Sequence, residues 1–208
     1  LLALGDDVRE QRLFTTHRSS EDDDLQCTVT LVEQAPLLVV TRDDTTLSLR
    51  YQPRYRPMSK NERQEFALVD DRSDSPSSAL HPSSCILGSL DRHTRVPDLA
   101  IEVARPGHLT QVLVLDAKYR LDSDGRGVPQ DALADAYTYL GAIGITGERA
   151  TLGALLLYPG QTTAELYPSD VGAVPLRPEA TDQLAACLAM FLGHDEPQRR
   201  RAREEDIP

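Results

Sequence analysis

The chain predicts an α+β or α/β domain built on one mixed sheet, and three observations point there. Short alternating apolar segments separated by turn residues fill the first half. A tight two-stranded hairpin occupies the centre, residues 95–119. An amphipathic stretch, an unbroken apolar run and a second amphipathic stretch follow. Strands, then a hairpin, then helix, strands and helix is the order of a sheet with helices packed on it. The 208 residues suffice for one domain with a sizeable core. We expect a single domain over residues 1–193, with residues 70–84 a flexible insertion and residues 194–208 a charged tail. Because the chain opens on Leu1 in an apolar stretch, an upstream helix or domain is expected to be missing.

Taken in order, the beginning of Leu1 to Phe14 reads as the tail of a helix that stops near Gly5, and Thr15 to Asp24 as a polar, solvated loop. Gln26–Val32, Leu37–Thr41 and Thr45–Tyr51 read as strands of an antiparallel meander, with a turn at Asp43-Asp44. Arg54, Arg56, Lys60 and Arg63 follow, interleaved with Tyr55 and Pro57, and read first as a solvated loop. The polar run from Asp70 to Ser84 has linker composition. Cys85–Leu90 is a short strand, and Asp91–Thr94 turns the chain into the central hairpin. After a loop at residues 121–130, Asp131 caps a helix to Ile143, buried by Leu133, Tyr137 and Leu140. Ala150–Tyr158 is a buried strand that pairs with Ala164–Tyr167, and Val174–Leu176 is the last strand. A helix over Glu179–Leu192 ends at Gly193.

The hairpin carries the chemistry. Val96–Ala104 and Gln111–Tyr119 alternate on either side of Arg105-Pro106-Gly107-His108. Strand parity puts Asp98, Ala100 and Glu102 on one face, and Asp116 with Lys118 on one face. If Val103 opposes Val112, Asp98 lies near Ala117, flanked by Asp116 and Lys118. Two carboxylates and one ammonium would then converge on an otherwise apolar sheet, which is costly unless they are paired or bind a metal. Oxygen ligands suit Mg²⁺, with Mn²⁺ as substitute. A lysine beside such an ion can hold the attacking water. Arg95 and Arg105 flank the proposed site, whereas turn histidines such as His93 and His108 are usually idle.

Composition narrows the classes. A net charge of −11 argues against a free-standing DNA binder unless a metal, a local basic patch or a partner supplies the grip. Cys27, Cys85 and Cys187 lack metal-ligand spacing and suit reduced thiols in the cytoplasm. No apolar run approaches transmembrane length. The phosphate-binding pattern G-x-x-x-x-G-K-[ST] is absent, as are G-x-S-x-G and H-E-x-x-H.

Pro97-Asp98 followed by Asp116-Ala117-Lys118 resembles the signature of the PD-(D/E)XK nuclease superfamily. The wording V-P-D-L-A-I-E-V, V-L-D-A-K-Y-R, Y-L-G-A-I, L-Y-P-G and V-P-L-R-P, over roughly residues 47–192, is similar to the McrC-like restriction endonuclease branch. The resemblance implies a restriction-endonuclease-like mixed central sheet flanked by helices. It also implies Mg²⁺-dependent endonucleolytic cleavage of DNA in a restriction or phage-defence system, controlled by an NTP-driven partner subunit or upstream domain. A homodimer is compatible with it. Carried over residue by residue, Asp98 and Asp116 would bind the metal with the backbone carbonyl of Ala117, and Lys118 would serve the water. Tyr139 would face the site or substrate, and Asp135 more weakly so. The family commonly carries a further Glu on a helix before the sheet; this sequence departs from that pattern, with no convincing counterpart beyond the weak candidates Glu10 and Glu33. The competing reading is a catalytically inactive nuclease fold used for DNA binding or assembly.

Overall fold

The computed structural model describes residues 7–11, 14–21, 24–31, 35–42, 44–59, 87–178 and 180–193. In chain order these form strands β1 (Asp7–Gln11), β2 (Phe14–Glu21), β3 (Asp24–Leu31), β4 (Pro36–Arg42), β5 (Thr45–Tyr51), β6 (Gly88–Ser89), β7 (Leu99–Ala104) and β8 (Gln111–Ala117). Helix α1 (Gln130–Ala142) follows, then β9 (Ile143–Ile145), β10 (Glu148–Arg149), β11 (Thr151–Tyr158), β12 (Glu165–Tyr167), β13 (Val171–Pro175) and helix α2 (Asp182–Gly193). An eight-stranded mixed sheet runs β1-β4-β5-β7-β8-β11-β13-β12. A small three-stranded sheet joins β10, β9 and β6, and β2 pairs with β3 alone. This α+β architecture with a mixed sheet and few helices is the one expected for a restriction-endonuclease-like fold.

Strand composition follows position in the sheet. The half from β1 to β8 is antiparallel. From β8 onward the pairing turns parallel, with β11 between β8 and β13. A parallel strand covered on both faces reads as a continuous apolar run, and all of β11 is buried. One face holds Ala100, Val112, Val114, Ala154, Leu156 and Val171 under Ala132, Ala136 and Leu140 of α1. The other holds Ile101, Val103, Leu113, Leu115, Leu155 and Val174 under Cys187, Phe191 and Leu192 of α2. At Gly153 a Cβ would meet the Phe191 ring at 2.4 Å and the Asp170 carbonyl oxygen at 2.8 Å, so only glycine admits that ring so close to the sheet.

Several expectations are corrected. Asp7–Gln11 is a strand paired with β4, and the helix tail expected up to Gly5 lies outside the described residues. The stretch expected to be a loop over Thr15–Asp24 is mostly strand, because β2 and β3 pair residue for residue from Phe14↔Leu31 to Glu21↔Asp24. Helix α1 begins at Gln130 behind Pro129, which makes no side-chain cap, so Asp131 sits in the first turn and is not the cap. The buried stripe of α1 is Ala132, Ala136 and Leu140, while Tyr137 is 45% exposed. The pairing expected between Ala164–Tyr167 and β11 is replaced by β12 against β13. Lys60, Arg63, Glu33, the insertion at residues 70–84 and the tail at residues 194–208 lie outside the described residues.

Candidate active site

The central hairpin sets the geometry. His108 N–H donates to the Arg105 carbonyl at 3.2 Å, with Pro106 and Gly107 between and Gly107 at φ +73°. Proline at the second position and a left-handed glycine at the third define a type II turn. Beyond it the ladder pairs Val103 with Gln111, Glu102 with Val112 and Leu99 with Leu115. The expected pairing of Val103 with Val112 is therefore off by one residue. Extended by one step, the observed ladder sets Asp98 opposite Asp116 rather than Ala117. Directly opposed residues share a face, and both carboxylates thus lie on the α1 side.

Each side chain there has a definite partner. The Ala117 N–H donates to Asp98 Oδ2 at 2.8 Å. Lys118 Nζ lies 2.7 Å from Asp116 Oδ2 and 3.1 Å from Asp135 Oδ2, the latter projecting from α1. Asp116 Oδ2 is buried, and the Lys118 ammonium is its ion-pair partner. Burial pushes the Asp116 carboxyl up; the Lys118 ammonium opposes this, and the charges of Asp98 and Asp135 add to it, leaving it above the ordinary carboxylate value. Burial pulls Lys118 down, but the contacts with Asp116 and Asp135 outweigh it, and Lys118 ends above the ordinary lysine value. The cluster thus holds three carboxylates against one firmly protonated ammonium. Among the described residues no three or more His, Cys, Asp or Glu side chains form a ready metal cage. Two opposed carboxylates, one of them buried, are still a donor set that fits Mg²⁺, which commonly takes one or two carboxylates and keeps its waters.

Helix α1 presents a stripe at four-residue spacing to this end of the sheet. Asp131 contacts Arg120, Asp135 contacts Lys118, and the Tyr139 hydroxyl donates to the Val96 carbonyl at 3.2 Å. Tyr139 is thereby tied to the backbone just before Pro97-Asp98. Burial and then the Asp116 charge raise its pKa. Asp135 was underweighted from sequence; its spacing of four from both Asp131 and Tyr139 is the signal that marks it. Of the flanking arginines, Arg95 is turned to Asp91 in an ion pair. Arg105 sits at the turn, its guanidinium 3.4 Å from Gln111 Oε1. Seven residues of extended chain separate it from Asp98, roughly 20 Å. The structure does not bring Arg105 to the cluster. At the site end Tyr119 is 92% exposed, beside the exposed Arg120. Glu10 lies on the edge strand β1, three strands from β7, and not on a helix.

Comparison with known proteins places this geometry in context. No curated protein and no solved structure matches the chain significantly. A family model described as the PD-(D/E)XK nuclease superfamily matches residues 3–163, which include the hairpin, Lys118 and all of α1. Members of that superfamily are typically nucleases and generally use divalent metal ions. With the match covering most of its length, this chain belongs to the PD-(D/E)XK nuclease superfamily.

Proposed function

We propose that the chain is a Mg²⁺-dependent endodeoxyribonuclease, with Asp98, Asp116 and the Ala117 carbonyl holding the ion and Lys118 serving the water. The observation that carries this reading is the opposition of Asp98 and Asp116 across the ladder, with the Lys118 ammonium 2.7 Å from the buried Asp116 Oδ2. When bound, the divalent ion offsets the charge that grows on the phosphate oxygens and leaving group. Lys118, raised above its ordinary value, remains an ammonium at neutral pH and acts by orienting the attacking water. The water oxygen bonds to phosphorus as the phosphorus–ester oxygen bond breaks; the water gives up a proton to bulk water, and the departing oxygen takes one up from it. Tyr139 fixes the entry to the Asp98 strand from α1. With Arg105 distant and Arg95 engaged, Arg120 is the better phosphate contact, exchanging Asp131 for the substrate. A McrC-like role in restriction or phage defence, with an NTP-driven partner or a homodimer, extends the same reading.

The test is cleavage of DNA in Mg²⁺ or Mn²⁺, together with crystals soaked in Mn²⁺. Asp98→Asn and Asp116→Asn should each lower the rate roughly a hundredfold or more, and Mn²⁺ density should appear between these residues. A parent protein that never cuts and takes up no Mn²⁺ there refutes the reading. The inactive-module alternative would then stand, favoured by the pairing of Lys118 within the cluster and by the net charge of −11.

A further inference from the structure

We propose that Asp135 is the positioning residue for Lys118, the anchor that keeps the ammonium over the site once a cation occupies Asp116. The inference rests on the metal-binding reading above and deepens it. Lys118 Nζ is shared between two carboxylates of different origin, Asp116 at the end of β8 and Asp135 on α1. A cation on Asp116 Oδ2 repels an ammonium on the same oxygen. Lys118 would then need another partner to stay in place, since its side chain is long and flexible. Asp135 supplies a rigid one, because α1 is docked by Ala132 and Ala136, which are 0% and 1% exposed. Asp135 itself is exposed, so changing it leaves that packing untouched.

Lysine-specific NMR can follow this directly, because the chain has two lysines, Lys60 and Lys118. In ¹⁵N-lysine protein, with Lys60→Arg to assign the signals, a paired ammonium exchanges slowly and is seen. Without Mg²⁺ the Lys118 signal should be present in the parent and in Asp135→Asn, since Asp116 still holds it. With saturating Mg²⁺ it should persist but shift in frequency in the parent and in Asp135→Glu, as the cation displaces Lys118 from Asp116, and vanish in Asp135→Asn. Cleavage should follow: kcat falls roughly a hundredfold in Asp135→Asn, KM stays within about twofold, and Asp135→Glu recovers much of the loss. An Asp135→Asn protein that keeps both signal and kcat in Mg²⁺ overturns the proposal. A parent whose Lys118 signal ignores Mg²⁺ overturns it together with the metal reading. A parent that responds to Mg²⁺ without cutting sinks the nuclease activity alone, and the ammonium signal still decides the role of Asp135.

Discussion

Replacing Lys118 by Met removes the ammonium and keeps most of the apolar stem. Its Asp116 partner is 9% exposed and Lys118 itself 22% exposed. Breaking a fully buried pair from one side costs about 3–5 kcal/mol. This pair sits at the sheet end with a partly wetted ammonium that a second carboxylate also holds, so about 2–3 kcal/mol is the expected loss. At roughly 2–4 °C per kcal/mol for a chain of this size, the melt should fall by about 5–10 °C in EDTA. The pH dependence follows from the directions of shift. Asp116 is raised by burial, so the folded state binds its proton more tightly than the unfolded state, and stability falls as pH climbs through the carboxylate range. Without Lys118 that fall in stability steepens. The deficit of the variant should therefore open as pH rises from the ordinary carboxylate value and close on acidification. At the alkaline end the parent keeps the Lys118 contribution below the ordinary lysine value and loses it as pH passes the higher native one. Mg²⁺ supplies the missing countercharge, so it should stabilise Lys118→Met more than the parent while cleavage collapses. Thermal melts with EDTA or Mg²⁺ over pH 3 to 8, roughly the span in which carboxylates matter, decide it. Equal melts in EDTA, or equal Mg²⁺ stabilisation of both proteins, would refute the charge-balance argument.

Leu140→Ala should cost about 2–5 kcal/mol in chemical denaturation, because its buried side chain seats α1 on the sheet; a loss below about half a kcal/mol would show the helix undocked. Asp91→Asn should lower the melting temperature at neutral pH, with the difference from the parent shrinking as pH falls from 3.8 toward about 2. Burial works against ionisation of Asp91, but hydrogen bonds from Arg95, the His93 N–H and Ser89 hold it down at about 2, and a depressed carboxylate contributes only above that window. A difference that persists unchanged at the acid end would contradict the pairing with Arg95.

The hairpin, both helices and β11 were legible because each has strong periodicity or an unbroken apolar run. Strand parity put Asp116 and Lys118 on one face, but whether Asp98 shares that face depended on the register. The register was not legible: Pro106-Gly107 announces a turn, yet Leu109 and Thr110 leave the ladder, and nothing local says where pairing resumes. Tyr137 was misplaced because an aromatic looks like core, whereas α1 lies close to the sheet and buries the small Ala136. Asp7–Gln11 and Thr15–Glu21 are polar segments whose strand state comes from their partners in the ladder and not from propensity. The strand β12 is too short to declare a partner, and β13 wins it by antiparallel proximity. Asp135 needed the distance from α1 to Lys118, a tertiary quantity.

The change of strand direction at β8 also bears on how the molecule folds. On one side β8 meets β7 across residues 105–110; on the other it meets β11 only after residues 118–150 have been laid down, helix included. Loop-closure entropy grows slowly with length, about 0.6 kcal/mol per doubling, so both contacts are affordable at equilibrium. The rates differ more, because distant pairings are the slower search. Asp98 and Asp116 therefore come together on the fast side of the seam, whereas Asp135 arrives with the slow crossover. Refolding should bring the carboxylates face to face before their ammonium acquires its helical anchor, and that interval is when Lys118 relies on Asp116 alone.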